Sequence, residues 1–352
     1  MQPSHCIKAQ NPLLKHYDIK YSRLQTYFLN IPTYFNLFLR YNFKKGGFIL
    51  ILFVIILLII VLLVFIFITA IYLSKIVLFP KTRGYNETYK LQKELGAIKN
   101  DFIKTLANKE FYLESNYGYK LHTIFFPNNN SKKTIILCHG ITDSLFCSMK
   151  YMNIFIKRGF NVVIYDHRFH GKSGGPNCSY GYFEKFDLKT VADWVFKNCG
   201  QDSIVGILGE SMGAATILQN SRIDKRISFY IADCPYSDVN ELFKLRIRAD
   251  YHLPAFPLIP IASFINKLTT NVFYNQISPI KDIVSVETPI FFIHGENDNY
   301  IPHKMSIDLY NAKKHGVRKL YIAPNADHVE SYLKNIEEYD RLVGEFLKSI
   351  NL

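Results

Sequence analysis

Several features that define common classes of protein are missing from this chain of 352 residues. Its six cysteines form no CxxC pair and no His/Cys cluster with the spacing of zinc ligands. No GxGxxG fingerprint occurs, and the GESMG turn lacks the lysine of a phosphate-binding loop. The sequence therefore predicts a protein that uses neither a metal ion nor a nucleotide cofactor.

Clustered positive charge is also scarce, although the formal net charge is +13. Residues 1–46 hold seven Lys and Arg against one acid, Asp18, so about half of the excess lies in this tail. The remaining charge is spread thinly, without a basic stripe and interleaved stacking aromatics. We therefore expect no nucleic-acid partner.

Charge is absent altogether between Gly46 and Ser74. A helix of that length would measure about 43 Å, against a bilayer core of roughly 30 Å. A buried core helix is seldom apolar on every face, and a cleavable signal peptide has a shorter apolar core. We predict one transmembrane helix at residues 47–74, with the bilayer as a partner, after a basic, aromatic-rich tail at 1–46.

The orientation of this helix is less clearly marked, because basic residues flank it on both sides: Arg40, Lys44 and Lys45 before it, and Lys75, Lys81 and Arg83 after it. Large domains are translocated regardless of their own charge. We expect a single-pass protein with a cytoplasmic N-terminus and an extracytoplasmic catalytic domain, although an odd number of cysteines in that domain favours a reducing compartment. Residues 75–108 resemble a polar stalk.

Strand-like and helix-like segments alternate through the rest of the chain. Residues 111–127 alternate in polarity and turn near Gly118, which predicts a hairpin. Residues 144–159 and 187–200 have helical periodicity, whereas 237–287 is less regular. Short apolar runs predict buried strands: TIILCHG, NVVIYDHR, SIVGILGE, ISFYIADCP, TPIFFIHG and RKLYIAP. This alternation predicts a mostly parallel sheet with helices on both faces.

A serine between two glycines, Ser211 in GESMG, stands where a predicted strand meets a predicted helix. Gly209 and Gly213 leave room for the strained backbone that would push the serine hydroxyl out of the sheet. An idle serine in a glycine-rich turn is the alternative. The context favours Ser211 as a nucleophile.

A nucleophilic serine needs a base and an acid, and both are found after later strands. His328 follows the last predicted strand, and Asp298 follows the one before it. The carboxyl ends of parallel strands share one edge of a sheet, so we expect Ser211, His328 and Asp298 to meet there. Other acids nearby remain candidates for the third position: Glu296, Asp327 and Asp238.

Acyl transfer also requires two N–H donors for the oxyanion. Met212, directly after the serine, and Ile141, in the turn LCHGITDS, are placed to provide them through their backbones. His139 in the same turn is a lesser candidate for catalysis, and we expect it to shape the turn.

Five motifs in this order, HGITDS, YDHRFHGKSGG, GESMG, HGENDNYIP and NADH, resemble the α/β-hydrolase superfamily, in particular its membrane-anchored members similar to monoglyceride lipases and serine aminopeptidases. The resemblance covers about residues 110–350. It implies an α/β-hydrolase fold with an eight-stranded, mostly parallel sheet at 109–352, a lid or cap insertion at 237–287, and the triad and oxyanion hole given above. The family's D-x-R-x-H-G turn matches here, except that Phe169 stands where many members have glycine.

The resulting hypothesis is a membrane-anchored serine hydrolase that cleaves carboxylic esters, with a small-molecule or lipid acyl ester or thioester as substrate. The apolar run within 237–287 is compatible with a cap packed on the core or with an acyl-binding lid. A serine peptidase or amidase is the first alternative. A catalytically silent binding protein on a hydrolase scaffold is the second. The oligomeric state is not predicted.

Overall fold

The chain is represented by a computed structural model, which describes residues 37–41, 47–98 and 106–352. The tail predicted at 1–46 lies outside these residues except for 37–41, and so do residues 99–105 of the predicted stalk. The chain divides into two compact units, Met1–Ile66 and Phe67–Leu352. The second unit holds the sheet and all of the predicted site residues.

The apolar run forms one helix, α1, at Gly47–Leu78. It is long and apolar enough to cross a membrane, judged by length and composition. The sequence predicts an end at Ser74, but the helix continues for another turn because Ile76, Val77 and Leu78 extend the apolar run. Lys75 is exposed in this turn.

The last turns of α1 pack on the second unit along one face. Ala70, Leu73, Ser74 and Leu78 are buried at helical spacings of three and four residues. The N–H of Cys178 donates to the carbonyl oxygen of Leu78 (2.9 Å). The end of this helix is therefore a built part of the second unit.

The second unit contains an eight-stranded sheet in the order β1-β2-β4-β3-β5-β6-β7-β8. β2 is antiparallel to β1 and to β4, and the other neighbours are parallel, which confirms the predicted fold class. The strands are β1 Lys109–Glu114, β2 Lys120–Phe126, β3 Lys133–Cys138, β4 Asn161–Tyr165, β5 Ile204–Glu210, β6 Phe229–Asp233, β7 Ile290–Gly295 and β8 Arg318–Ala323.

Both faces of the sheet are buried, as expected for parallel strands covered by helices. Along β3, Ile135 and Leu137 belong to the core on one face, and Ile136 and Cys138 to the core on the other. The described α-helices of the second unit that follow α1 are α2 Tyr85–Glu94, α3 Met152–Ile156, α4 Glu184–Cys199, α5 Met212–Ile223, α6 Val239–Tyr251, α7 Ala255–Thr270, α8 Pro279–Asp282, α9 Lys304–Ala312, α10 Ser331–Lys334 and α11 Ile336–Ser349.

Two segments differ in secondary structure from their predicted form. The helix predicted at 144–159 is a 3₁₀ helix, Leu145–Tyr151, followed by the short α3. The irregular segment at 237–287 contains two substantial helices, α6 and α7, which lie between β6 and β7 in the chain and which we call the cap. Asp238 caps α6, and Pro254 immediately precedes α7.

The described part of the predicted stalk is not a free spacer. The rings of Tyr85 and Tyr89, both on α2, lie 4.5 Å and 5.0 Å from the ring of Phe146. These two tyrosines pack against the core of the second unit. Most other residues of α2 are polar. Their composition predicts an exposed stalk, and the contact made by the two tyrosines could not be predicted from it.

Candidate active site

Ser211 lies at the turn between β5 and α5, with φ 53° and ψ −116°. A left-handed φ at a serine is strained, and such strain is typical of functional sites. Added Cβ atoms would overlap backbone at both flanking glycines: Gly209 would meet Gly213, and Gly213 would meet the carbonyl oxygens of Cys138 and His139. The turn therefore requires glycine on both sides of the serine.

Three predicted residues form one hydrogen-bonded series. Ser211 Oγ lies 3.0 Å from His328 Nε2, and His328 Nδ1 lies 2.6 Å from Asp298 Oδ2. Ser211 follows β5, Asp298 follows β7 and His328 follows β8, so the strand ends bring them together. If Nδ1–H donates to Asp298, then Nε2 is left free to accept the serine proton.

Asp298 is held by several donors besides His328. Its Oδ1 accepts from the N–H groups of Tyr300 (2.9 Å) and Ile301 (2.8 Å), and its Oδ2 lies 3.1 Å from His294 Nε2. Burial opposes ionisation, but hydrogen bonds from His294 and His328 outweigh it and hold the pKa of Asp298 well below its ordinary value. The acid therefore stays charged. No motif in the sequence pointed to this contact between His294 and Asp298.

Two of the three rival acids, Asp238 and Glu296, accept hydrogen bonds elsewhere. Asp238 accepts from Asn240 N–H (2.9 Å) at the start of α6. Glu296 accepts from the backbone of Asn325 (3.4 Å). Within the described residues, Asp298 is the acid that contacts His328.

The two predicted oxyanion donors, the N–H groups of Met212 and Ile141, belong to segments that adjoin the serine. Met212 is the first residue of α5, so its N–H has no intrahelical partner. Gly140, next to Ile141, approaches Ser211 so closely that an added Cβ would lie 3.4 Å from the serine Cβ. Neither the Ile141 nor the Met212 N–H has an acceptor among the described residues. Both donors are available for an oxyanion.

The turn that contains Ile141 is fixed by its neighbours. His139 Nε2 accepts from the His167 N–H (2.9 Å), which leaves Nδ1–H to donate to the carbonyl oxygen of Gly140 (2.6 Å). Burial lowers the pKa of His139 to about 4, so the ring is neutral near pH 7. His139 therefore shapes the turn.

Residues of the predicted stalk also hold this turn. The N–H of Arg83 donates to the carbonyl oxygen of Thr142 (2.8 Å), and Arg83 Nη1 lies 2.7 Å from Asp143 Oδ1. On the other side, the N–H of Thr142 donates to His170 Nε2 (3.1 Å). The segment after α1 thus contributes directly to the site.

The D-x-R-x-H-G turn is structural. Asp166 accepts from the Leu145 N–H (2.7 Å), and Gly171 packs so close to the Asp166 carboxylate that a Cβ would overlap it. Phe169, which replaces glycine, has φ 64°, a costly conformation for a bulky residue. Its ring contacts Phe79 at 5.9 Å, just after α1. This contact partly offsets the strain.

Sequence reasoning missed a buried cluster beside the site. Glu210 pairs with Lys150 and accepts from the hydroxyl of Tyr151 (2.7 Å). Lys150 Nζ also donates to the carbonyl oxygen of Val329 (3.0 Å). Burial opposes both charges, but the attraction between them outweighs it, so the pKa of Glu210 is lowered and that of Lys150 is raised. Glu210, the acidic residue of GESMG, was the one feature of the sequence that could have indicated this cluster.

One group of side chains has the spacing of a metal site. Cys234, Asp298 and His328 each offer a ligand atom, and these atoms lie within 4.8 Å of one another. Burial, followed by the charge of Asp233, raises the pKa of the Cys234 thiol well above its ordinary value. A protonated thiol is a poor ligand, and Asp298 already binds His328. This donor set does not fit a metal ion.

Comparisons with known proteins place this geometry in a family. The alpha/beta hydrolase fold family matches residues 133–257. YqkD of Bacillus subtilis, an uncharacterised protein, is 39% identical over 278 residues, which are 78% of this chain and 91% of YqkD. Protein bem46 of Schizosaccharomyces pombe is 23% identical over 221 residues, which are 62% of this chain and 68% of bem46.

A solved structure agrees with these sequence relatives. The Pyrococcus furiosus esterase Pf2001 superposes with a TM-score of 0.57 at 26% identity, and the match covers 73% of this chain and 93% of that one. With the strand order, the strained serine turn and the relationship to YqkD taken together, the chain belongs to the α/β-hydrolase superfamily.

Proposed function

We propose that this chain is a serine hydrolase that cleaves carboxylic esters, either acyl esters or thioesters, through an acyl-enzyme intermediate. The observation that carries the proposal is the series Ser211 Oγ, His328 Nε2, His328 Nδ1 and Asp298 Oδ2, with contacts of 3.0 Å and 2.6 Å. A silent scaffold has no need for a strained serine aligned with a base and a charged acid. The esterase Pf2001 supports the choice of ester over amide.

The proposed reaction uses these groups in sequence. Ser211 Oγ attacks the ester carbonyl as His328 Nε2 takes its proton, and the N–H groups of Ile141 and Met212 stabilise the oxyanion. His328 then gives the proton to the departing alcohol or thiol. Water, deprotonated by the same ring, releases the acid and restores Ser211. Asp298 orients His328 and stabilises the imidazolium throughout.

We also propose that α1 anchors the enzyme in a membrane, with the N-terminus in the cytoplasm and the catalytic domain outside. The length and apolar character of α1 support the anchor. Protease added to intact cells should then degrade the catalytic domain. Protection of this domain until the cells are opened would place it on the cytoplasmic side.

Labelling with a fluorophosphonate tests the proposal, because this probe reacts with an activated serine. Wild type should be labelled and Ser211→Ala should not. No labelling of the folded wild type would overturn the enzyme proposal. A panel of p-nitrophenyl esters and aminoacyl p-nitroanilides then tests the substrate class. A preference for the anilides would replace the esterase with the peptidase or amidase.

A further inference from the structure

An apolar cavity lies between the end of α1 and the cap. Leu73, Ile76 and Val77 of α1 form one wall. Leu242 on α6 and Ala262 on α7 belong to the opposite side. The polar lining includes the Arg246–Asp250 pair, whose charges compensate each other. The cavity is therefore suited to an uncharged, apolar group.

Tyr300 connects this cavity to the catalytic base. It lines the cavity, and its ring lies 5.0 Å from the ring of His328. The guanidinium of Arg246 lies 4.3 Å from the centroid of the same ring, so the tyrosine has two partners. The cavity thus begins one aromatic ring away from the proposed reaction centre.

The cap helix α7 has a second apolar face that points to solvent. Pro260, Phe264 and Leu268 are spaced four residues apart, and the latter two side chains are 53% and 71% exposed. Phe256, four residues before Pro260, is exposed as well. Exposed apolar stripes of this kind mark contacts with proteins or with membranes. We call Phe256, Pro260, Phe264 and Leu268 the α7 stripe.

We propose that the cavity holds the apolar chain of the ester, and that this ester is a lipid taken from the bilayer on which the α7 stripe rests. The inference builds on the proposed ester hydrolase. The wall formed by Leu73, Ile76 and Val77 belongs to the same helix as the candidate membrane span. α7 separates the cavity from the stripe, since Ile259 and Ala262 line the first while Phe264 and Leu268 form the second. Helix α7 therefore contacts the apolar chain of the ester on one face and the bilayer on the other.

The cavity is tested by filling it in the full-length chain. Val77→Trp and, separately, Ala262→Phe add bulk from opposite walls, whereas Ile68→Trp adds a ring at an exposed position of α1. The measurement is the ratio of kcat/KM for p-nitrophenyl laurate to that for p-nitrophenyl acetate, per fluorophosphonate-labelled serine. Expressing rates per labelled site removes any unfolded fraction.

Both cavity variants should lower this ratio by about tenfold or more, because each methylene lost from an apolar pocket is worth a large factor in specificity. Ile68→Trp should leave the ratio unchanged. Wild-type ratios in both cavity variants would overturn the assignment of the cavity.

The bilayer source is tested through the α7 stripe. The full chain is reconstituted into phosphatidylcholine vesicles that contain 4-methylumbelliferyl oleate. Phe264→Glu and Leu268→Glu together should lower the rate on this ester by roughly tenfold, equivalent to about 1.4 kcal/mol. Val317→Glu, at an exposed site before β8, is the matched control and should have no effect.

The outcomes separate the two levels of the proposal. Absence of labelling and of ester hydrolysis in wild type would remove the proposed function itself. Labelling and hydrolysis with unaltered chain-length ratios in the cavity variants would remove only the cavity assignment. Equal vesicle rates for wild type and the stripe variant would show that the ester arrives from water, and would overturn the bilayer source.

Discussion

Two buried carboxylates near Ser211 are each paired with a basic side chain, and the two pairs differ in how completely they are enclosed. In the Asp298–His328 pair, the His328 side chain is 21% exposed and its Nε2 faces Ser211. In the Lys150–Glu210 pair, the side chains are 3% and 2% exposed. Glu210 also accepts from Tyr151, so its oxygens are surrounded by donors. We call these the open pair and the closed pair.

This difference in exposure gives the two pairs different roles: the open pair can transfer a proton, and the closed pair holds the backbone in place. Proton transfer needs an atom that can reach the substrate, which only the open pair has. The closed pair fixes backbone instead: Glu210 directly precedes Ser211, and Lys150 donates to the carbonyl oxygen of Val329, directly after His328. Val329 has φ 63°, so this carbonyl belongs to a constrained turn. The closed pair therefore connects the chain segments that carry the nucleophile and the base.

The largest effect on turnover should come from removing the charge of Asp298 in the open pair. Asp298→Asn keeps the size of the side chain but no longer imposes the His328 tautomer or stabilises the imidazolium, so kcat should fall by about 10⁴-fold. Turnover of p-nitrophenyl acetate measures this. Asp238→Asn, at the start of α6, is the matched control and should keep its activity. A nearly normal rate for Asp298→Asn would give the role of the acid to another residue.

Breaking the closed pair should act mainly on stability. Lys150→Met leaves Glu210 buried without its counter-charge, which should lower the free energy of unfolding by about 3–5 kcal/mol. Thermal or denaturant unfolding of the full chain in detergent measures this loss. Adding Glu210→Gln should recover part of it, because a neutral amide can still accept from Tyr151. A double variant less stable than Lys150→Met alone would contradict this account.

The sequence predicted the open pair but not the closed one, for a physical reason. Ser211, Asp298 and His328 each follow a strand, and parallel strands bring their ends together whatever the intervening segments do. The closed pair depends on the path of the 3₁₀ helix that carries Lys150, a segment with the periodicity of an ordinary α-helix. Its partner lies sixty residues further along the chain. No local pattern indicates such a contact.

The same limit explains why the stalk was misjudged. The polar composition of residues 81–94 indicates exposure, and most of these side chains are indeed polar. Their role depends on a few contacts with distant segments, such as Tyr85 on Phe146 and Arg83 on the turn of Ile141. The eight-stranded fold is predictable from alternating apolar runs. The attachment of α1 and α2 to the fold is not.

The smallest effect should come from a third pair, Arg83 and Asp143, whose side chains are 47% and 15% exposed. Arg83→Ala removes this ion pair but keeps the backbone bond to Thr142, so the turn is loosened rather than lost. A partly exposed pair contributes at most about 1 kcal/mol, which limits the fall in kcat/KM to roughly fivefold. This turn acts on the ester carbonyl and not on the acyl chain. We therefore expect kcat/KM to fall by the same factor for acetate and laurate esters. Arg341→Ala, which breaks an exposed pair with Glu338, should leave kcat/KM unchanged. A fall in kcat/KM for the laurate ester alone would mean that Arg83 acts through the cavity. The turn of Ile141 and the cavity that binds the acyl chain could then no longer be treated as separate parts of the site.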